Sequence, residues 1–227
     1  MRTEDIVIIS DVHLGSRPCR SKQLLHCLKN IQFKKLILNG DIFDDLNFKR
    51  LDHDDWAFLS YVRELSNPKH PEEVIWIAGN HDGAANILSR LIGVEVLKEY
   101  RFDWRGKRCL ALHGHQYDRY MVRNPYISMI AAKVYLFIQS IDSERQLFSR
   151  FMKRASKAWL RNSERVAVGA ANHGYRDHVD VVFCGHTHRD LAEKLGKVEY
   201  YNSGCWTDIP SSYITLGDEG IRVNYEN

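Results

Sequence analysis

The sequence predicts an α/β fold carrying an inserted helical cap, on three observations. Short β-rich runs alternate with helix-like stretches through the first half of the chain. Three polar clusters, DVHLG (11–15), GDIFD (40–44) and GNHD (79–82), each begin where one of those runs ends. A long segment, 117–178, then has helical periodicity and no strand signal. Alternation of this kind builds βαβ units, an internal sheet with helices outside it, and ligands bind at the C-terminal edge of such a sheet.

In chain order, residues 5–10 read as a buried strand, 21–30 as a helix, 34–39 as a strand, 52–66 as a helix and 73–78 as a strand. The acidic run Asp52-His53-Asp54-Asp55 opens the second helix, where it caps free N–H groups and complements the dipole. Residues 102–112 form a hairpin turning at Arg105-Gly106, and its second strand delivers HGH at 113–115. Within 117–178, Ile127, Ile130, Ala131, Val134, Ile138 and Ile141 make one apolar stripe. Leu147, Phe151, Ala155, Ala158 and Trp159 make another, with basic residues opposite. Residues 179–184 are a strand ending in GHTH (185–188), followed by short strands with turns at Gly196 and at Gly217–Gly220. The organisation expected is one core domain, 1–116 and 179–227, with 117–178 inserted as the cap.

Composition narrows the function classes. With 227 residues, 44% hydrophobic and 27% charged, the chain can bury a proper core and is neither disordered nor fibrous. A net charge of +3 is too mild to argue for nucleic acid. The charge is unevenly placed, however. Residues 117–166 hold ten Lys/Arg against four acids, a local +6 that leaves −3 for the remainder. Five scattered cysteines without a C-x-x-C pair indicate neither a disulfide framework nor a thiolate metal site, and they suit reduced thiols in the cytoplasm. The start, MRTEDIVIISD, is not expected to be a signal peptide. The longest apolar stretch, 126–138, is 13 residues long and contains Lys133, short of the ~20 residues a membrane span needs.

Five segments far apart in sequence each place Asp, Asn or His straight after a predicted strand, giving the candidates Asp11, His13, Asp41, Asn80, His113, His186 and His188. In extended backbone, side chains two apart point to the same side, so D-x-H and H-x-H can each grip one ion. Oxygen and imidazole donors without thiolate suit manganese, iron or zinc rather than soft metals. Seven donors exceed what a single zinc uses. Two ions sharing a carboxylate fit better, and Asp41, between the other clusters in chain order, is the natural bridge. A pair of metals ~3.5 to 4 Å apart lowers the pKa of a shared water and clamps the attacking and leaving oxygens of a phosphoryl group. The chemistry implied is hydrolysis at phosphorus.

In this order and at these separations, D-x-H, GD-x-x-D, GNH-D, H-G-H and GH-T-H resemble the motifs of the calcineurin-like metallophosphoesterases. The resemblance implies a four-layer α/β/β/α sandwich of two sheets. It implies that Asp11, His13, Asp41 and His188 hold one metal and Asp41, Asn80, His113 and His186 the other. His81 would then be the general acid, steered by Asp82. Within the family, the size, the helical insertion after HGH and the ending GHTHR…YYNSGCW are similar to the UDP-2,3-diacylglucosamine pyrophosphohydrolases of lipid A synthesis. That likeness implies two Mn²⁺ ions, cleavage of a lipid-linked nucleotide's pyrophosphate and acyl chains sheltered by the cap. The chain differs from that group in having His81 where it has arginine, and His115 where it has aspartate.

Several residues carry two readings. Asp44 and Asp82 either make loop or helix-cap hydrogen bonds or support metal-binding and catalytic histidines. Lys153, Arg154, Lys157 and Arg161 form a basic cap face that suits plain solvation, substrate phosphate or peripheral contact with the inner surface of a membrane. The apolar cap stripes serve core packing or a lipid groove. Asn202-Ser203-Gly204 is expected as a tight turn supporting the metal centre, while His26, His70, His173 and His178 are given no role. The expected partner is a phosphorylated small molecule or a lipid-linked nucleotide rather than nucleic acid. A phosphodiesterase or nuclease of the same family, and a non-catalytic interaction module on the same fold, are the rival readings.

Overall fold

The computed structural model describes residues 2–83, 85–118 and 157–227. The first apolar cap stripe, most of the second, Lys153 and Arg154 lie outside them. The elements run β1 (Arg2–Ile9), α1 (Ser21–Lys29), β2 (Ile31–Asn39), α2 (His53–Leu65), β3 (Glu73–Ile77), α3 (Ala85–Ile92) and β4 (Val96–Leu97). They continue with β5 (Glu99–Trp104), β6 (Lys107–Leu112), α4 (Lys157–Arg176), β7 (Val181–Cys184), β8 (Leu191–Leu195), β9 (Val198–Asn202), β10 (Ser211–Gly217) and β11 (Gly220–Glu226).

Two sheets result. The first has the order β11-β10-β1-β2-β3-β4 and the second β5-β6-β7-β9-β8. In the first, β1 to β4 are parallel to one another and β10 and β11 antiparallel. In the second, β6, β7 and β9 are parallel, flanked by antiparallel β5 and β8. Inner segments such as 6–9, 36–38 and Val181–Cys184 read as continuous apolar runs because both of their faces are covered, whereas the edge strands β5, β8 and β11 are polar and partly exposed. Along β1, Ile6 and Ile8 pack toward Cys109, Ala111, Val181 and Phe183 of the second sheet, whereas Val7 and Ile9 join Leu24, Leu28, Phe58 and Leu59 of α1 and α2. Full burial of each such side chain favours the fold by roughly 1.5–3 kcal/mol. The hairpin predicted for 102–112 is β5–β6, with Arg105 and Gly106 both at positive φ as a tight twisted turn requires. At α2 the expected cap is a capping box: Asp52 accepts from the Asp55 N–H, and the Asp55 side chain accepts from that of Asp52.

The fourth layer is α4. Its Ala167, Ala170 and Ala171 bury against Leu110, Leu112, Val182, Cys184 and Tyr200 on the outer face of the second sheet. A small residue is needed here, since a Cβ at Gly174 would lie 2.8 Å from Val179 Cγ2 and against Val182. The C-terminal third of the 117–178 segment is thus a layer of the sandwich itself. Among the described residues, no helix is long and apolar enough to cross a membrane.

Register determines what the layers present. Ile9 pairs with Leu38 and Asn39 with Ile77, so β1, β2 and β3 end side by side. Ala111 pairs with Phe183 and Cys184 with Asn202, so β6, β7 and β9 do the same. Every polar cluster picked out in the sequence leaves one of these strand ends.

Candidate metal centre

The loops leaving the strands are held by backbone pairing and held in strain. Asp11 N donates to the Gly40 carbonyl (3.0 Å), Val12 N to Asp41 (2.9 Å) and Leu14 N to Ile42 (2.9 Å), prolonging the β1–β2 pairing past both strands. Within the second sheet Gly185 N donates to His113 O (3.0 Å), prolonging the β6–β7 pairing, and between the sheets Trp206 N donates to Asp11 O (3.0 Å). Within this framework Asp11, His13, Asp41, His186 and His188 all have positive φ, between 51° and 67°. Left-handed backbone costs a non-glycine residue on the order of 1–3 kcal/mol and persists only where the surroundings over-determine it. Five of the seven candidate ligands sharing it mark a built site.

The side chains converge in two sets. Ligand atoms of Asp11, His13 and His188 lie within 4.8 Å of one another, as do those of Asp41, His113 and His186. In the first set, His188 Nε2 is 3.3 Å from Asp11 Oδ1 and 3.1 Å from His13 Nε2. Asp11 Oδ2 is already engaged by the His186 N–H (2.8 Å) and the Ser10 hydroxyl, which leaves Oδ1 for the set. In the second, His113 Nδ1 donates to the Asn39 carbonyl (2.9 Å), which directs Nε2 at Asp41 Oδ2 (3.2 Å). The other Asp41 oxygen accepts the His81 N–H (2.8 Å).

Burial raises a carboxyl's pKa, but here neighbouring imidazoles outweigh it. His188 and His113 bring Asp11 to about 2, and His113, His81 and His13 hold Asp41 well below the usual range. Asp41 therefore feels a histidine of each set. Among the described residues, Asp11 Oδ1, His13 Nδ1, Asn80 Oδ1 and His113 Nε2 are buried without a hydrogen-bond partner. Buried carboxylate oxygens turned toward ring nitrogens, together with a buried unsatisfied amide oxygen, fit divalent cations with a preference for oxygen and nitrogen.

Three glycines make the convergence possible. A Cβ at Gly40 would enter the His113 ring, one at Gly79 the Asp41 carboxylate, and one at Gly185 the Ser10 and Asp11 side chains. Each precedes a candidate ligand. Around them lies a ring of supporting side chains. Asn202 donates to Gly185 O (2.7 Å) and accepts from Gly204 N (3.0 Å), holding the turn after β9 against the GHTH loop. Asp44 places Oδ1 3.6 Å from His13 Nδ1, while its carbonyl accepts from His81 Nδ1 (2.7 Å). The capping residue Asp55 also accepts from Gly15 N (3.0 Å), tying the DVHLG loop to α2.

Six of the seven candidate ligands thus meet at one place, with His81 beside them, its ring 4.9 Å from that of His13, and Asn80 precedes His81 in the GNHD loop with its Oδ1 buried. The ring partner of His81 is the Asp44 carbonyl. Asp82 works on backbone instead: it accepts from the N–H groups of Asp41, Ile42, Phe43 and Gly79 at 2.9–3.2 Å and from the Trp76 indole at 3.4 Å. It clasps the GDIF and GNHD loops together. Of the basic cap residues, Lys157 opens α4 and Arg161 is exposed on it. Sequence reasoning missed Asn39, Asp118 and Asn162. A buried Asn closing an apolar strand was a usable signal for the first. The last pair had none, because their contacts cross 44 residues and more.

Comparison with known proteins agrees with this architecture. The model of the calcineurin-like phosphoesterases matches residues 5–190. Among solved structures, vacuolar protein sorting 29 from Cryptosporidium parvum is similar with a TM-score of 0.52 at 15% identity, over 98% of this chain and 97% of that one. Vps29 from Chaetomium thermophilum gives 0.52 at 11%, over 99% and 96%. The E. coli phosphoesterase Yfce gives 0.51 at 18%, over 95% and 90%. At these identities the likeness is one of fold. No curated protein sequence matches the chain.

Proposed function

Because the chain belongs to the calcineurin-like phosphoesterase family, we propose that it is a two-metal hydrolase of phosphoester or pyrophosphate bonds. Asp11, His13, Asp41 and His188 would hold one cation and Asp41, Asn80, His113 and His186 the other. The observation that carries the reading is the pair of ligand sets with their buried, unpartnered oxygen and nitrogen atoms. Divalent ions bound there supply Lewis acidity and a lowered pKa for the attacking water.

The chain's own residues supply the rest. A carbonyl only accepts, so the 2.7 Å contact puts a proton on His81 Nδ1 and leaves Nε2 for the substrate. As imidazolium, that ring donates from Nε2 to a phosphoryl or leaving-group oxygen, the role of a general acid. The Asp41 oxygen that accepts the His81 N–H ties the acid's backbone to the bridging ligand. Asp82 acts through backbone as a positioning residue.

For the substrate, the resemblance in GHTHR…YYNSGCW and in the long helical insertion favours a nucleotide diphosphate linked to a lipid, with Mn²⁺ as metal. Hydrolysis of UDP-diacylglucosamine, a simple phosphodiester and a phosphomonoester, each with Mn²⁺ and with chelator, tests this. Metal-dependent turnover of any supports the hydrolase, and preference for the first supports the lipid-linked substrate. Silence across all three in a protein that binds two metals would refute it in favour of a non-catalytic module.

A further inference from the structure

The ligand histidines do not share one kind of support, and the difference points to a residue outside the motifs. His113 leans on a main-chain carbonyl at the end of β2 in the facing sheet, and His13 faces Asp44 from the adjoining loop. His186 instead turns Nε2 to the carboxylate of Asp118, at 3.0 Å from Oδ2. Asp118 is 8% exposed and closes the single 3-10 turn that follows HGH, its N–H donating to His115 O (3.1 Å). The same Oδ2 accepts from Asn162 Nδ2 of α4 at 2.8 Å. From one turn before Asn162 and from the residue after it, α4 grips the GHTH loop itself: Trp159 Nε1 donates to Thr187 O (3.0 Å), and Ser163 Oγ donates to Thr187 Oγ1 (3.4 Å).

We propose that Asp118, held by Asn162, is the positioning residue of the second metal position, fixing the tautomer and orientation of His186. A carboxylate only accepts, so the contact places the proton of neutral His186 on Nε2 and its lone pair on Nδ1. Nδ1 is then the ligand atom that joins Asp41 and His113. Without the carboxylate the ring is free to exchange tautomers and rotate, and a ligand so loosened typically costs 10–100-fold in metal affinity, roughly. The consequence is asymmetric. Among the described residues, Asp11, His13 and His188 make no hydrogen bond to Asp118, so this carboxylate supports one of the two positions and not the other. The family motifs alone therefore do not complete the site: a helix laid over the second sheet finishes it.

The inference rests on the two-metal reading, and the experiment separates them. Chelator-stripped full-length protein is titrated with Mn²⁺ by calorimetry, with stoichiometry checked by elemental analysis, for wild type, Asp118→Ala, Asp118→Asn and Asn162→Ala. Wild type is expected to take up two ions. Asp118→Ala should leave the tighter or weaker step belonging to the Asp11 set unchanged and weaken the other about 10–100-fold. Asp118→Asn, whose carbonyl oxygen still accepts from Nε2–H, should recover part of the loss. With Zn²⁺ as a diamagnetic probe, ¹⁵N NMR of the imidazoles should report His186 protonated at Nε2 in wild type and a tautomer mixture in Asp118→Ala, a signature that lost packing alone would not produce. Should Asp118→Ala fail to fold, Asn162→Ala gives the same selective weakening at smaller size. Two undisturbed binding steps in these variants, or equal weakening of both with a lower melting point of the chelated protein, would overturn the inference. A wild type taking up fewer than two ions overturns the two-metal reading, and this one with it.

Discussion

Replacing Asp82 by alanine tests whether the clasp between the GDIF and GNHD loops is structural. Its carboxylate, 1% exposed, accepts from four backbone N–H groups and an indole. Hydrogen bonds to a charged group are each worth about 1.5–3 kcal/mol net, and orphaned buried donors add their own penalty. These terms do not sum, because water can enter the space and because the variant no longer desolvates a carboxylate. Burial and the nearby Asp41 charge raise the pKa of Asp82, so that relief is real. A net loss of about 3–5 kcal/mol follows by analogy with breaking a buried charged pair. At about 2–4 °C per kcal/mol for a chain of this length, the melting point should fall by roughly 10 °C. Because two of the orphaned N–H groups belong to Asp41 and to Gly79, the neighbour of Asn80, Mn²⁺ affinity should fall as well. Asp82→Asn should be intermediate in stability: its carbonyl can serve Ile42 and Phe43, but its amide would confront the Asp41 and Gly79 donors. Thermal melts with and without chelator and a metal titration measure both effects. An Asp82→Ala protein with wild-type melting point and metal content that has lost only turnover would refute the clasp and restore a direct role beside His81.

Other outcomes are expected. Asp41→Ala should abolish two-metal binding and turnover while largely preserving the fold, which circular dichroism and metal analysis read together. His81→Gln should cut turnover about 10²–10⁴-fold with metal stoichiometry unchanged, as for loss of a general acid. Gly79→Ala should expel Asp41 from its position and lose metal, whereas Gly106→Ala, whose Cβ meets open space at φ +78°, should cost only about 1–2 kcal/mol and leave metal content intact. Burial pulls both His113 and His188 downward, yet Asp41 lifts the first to about 9, and Cys205 with Asp11 lifts the second to about 10. Both lie above the ordinary 6.5, so their pairing stabilises the chelated protein fully below that pH and is lost as pH rises through 9 to 10. A cation must displace these protons, so Mn²⁺ affinity should rise with pH across that window, and an affinity flat from pH 6.5 to 9 would contradict the assignment.

Much of the fold was legible because the signals are local. The Ile6–Ile9 run, the Arg105-Gly106 turn and the acidic opening of α2 each announce an element within a window of a few residues, and β1, the β5–β6 hairpin and the capping box lie where those windows place them. The short α3 and β4 went unread, since eight and two residues carry too little period to stand out from the loop around them. The basic cap face had no comparable outcome: Lys153 and Arg154 fall outside the described residues.

For the candidate site, motif chemistry at strand ends named the converging donors, because a residue directly after a parallel strand inherits that strand's place in the sheet. What no window could hold is the support behind them. Asp82 reaches back about 40 residues to three consecutive N–H groups, Asp118 meets His186 across 68, and Ser10 meets Ser203 across 193. The left-handed backbone at five ligands is likewise a product of those contacts, since no side chain among Asp11, His13, Asp41, His186 and His188 would choose it alone. Local patterning decided which atoms could serve as ligands. Packing of the sheets against each other, and of α4 over them, decided which way those atoms face, because orientation is stored in hydrogen bonds that exist only once distant segments have met.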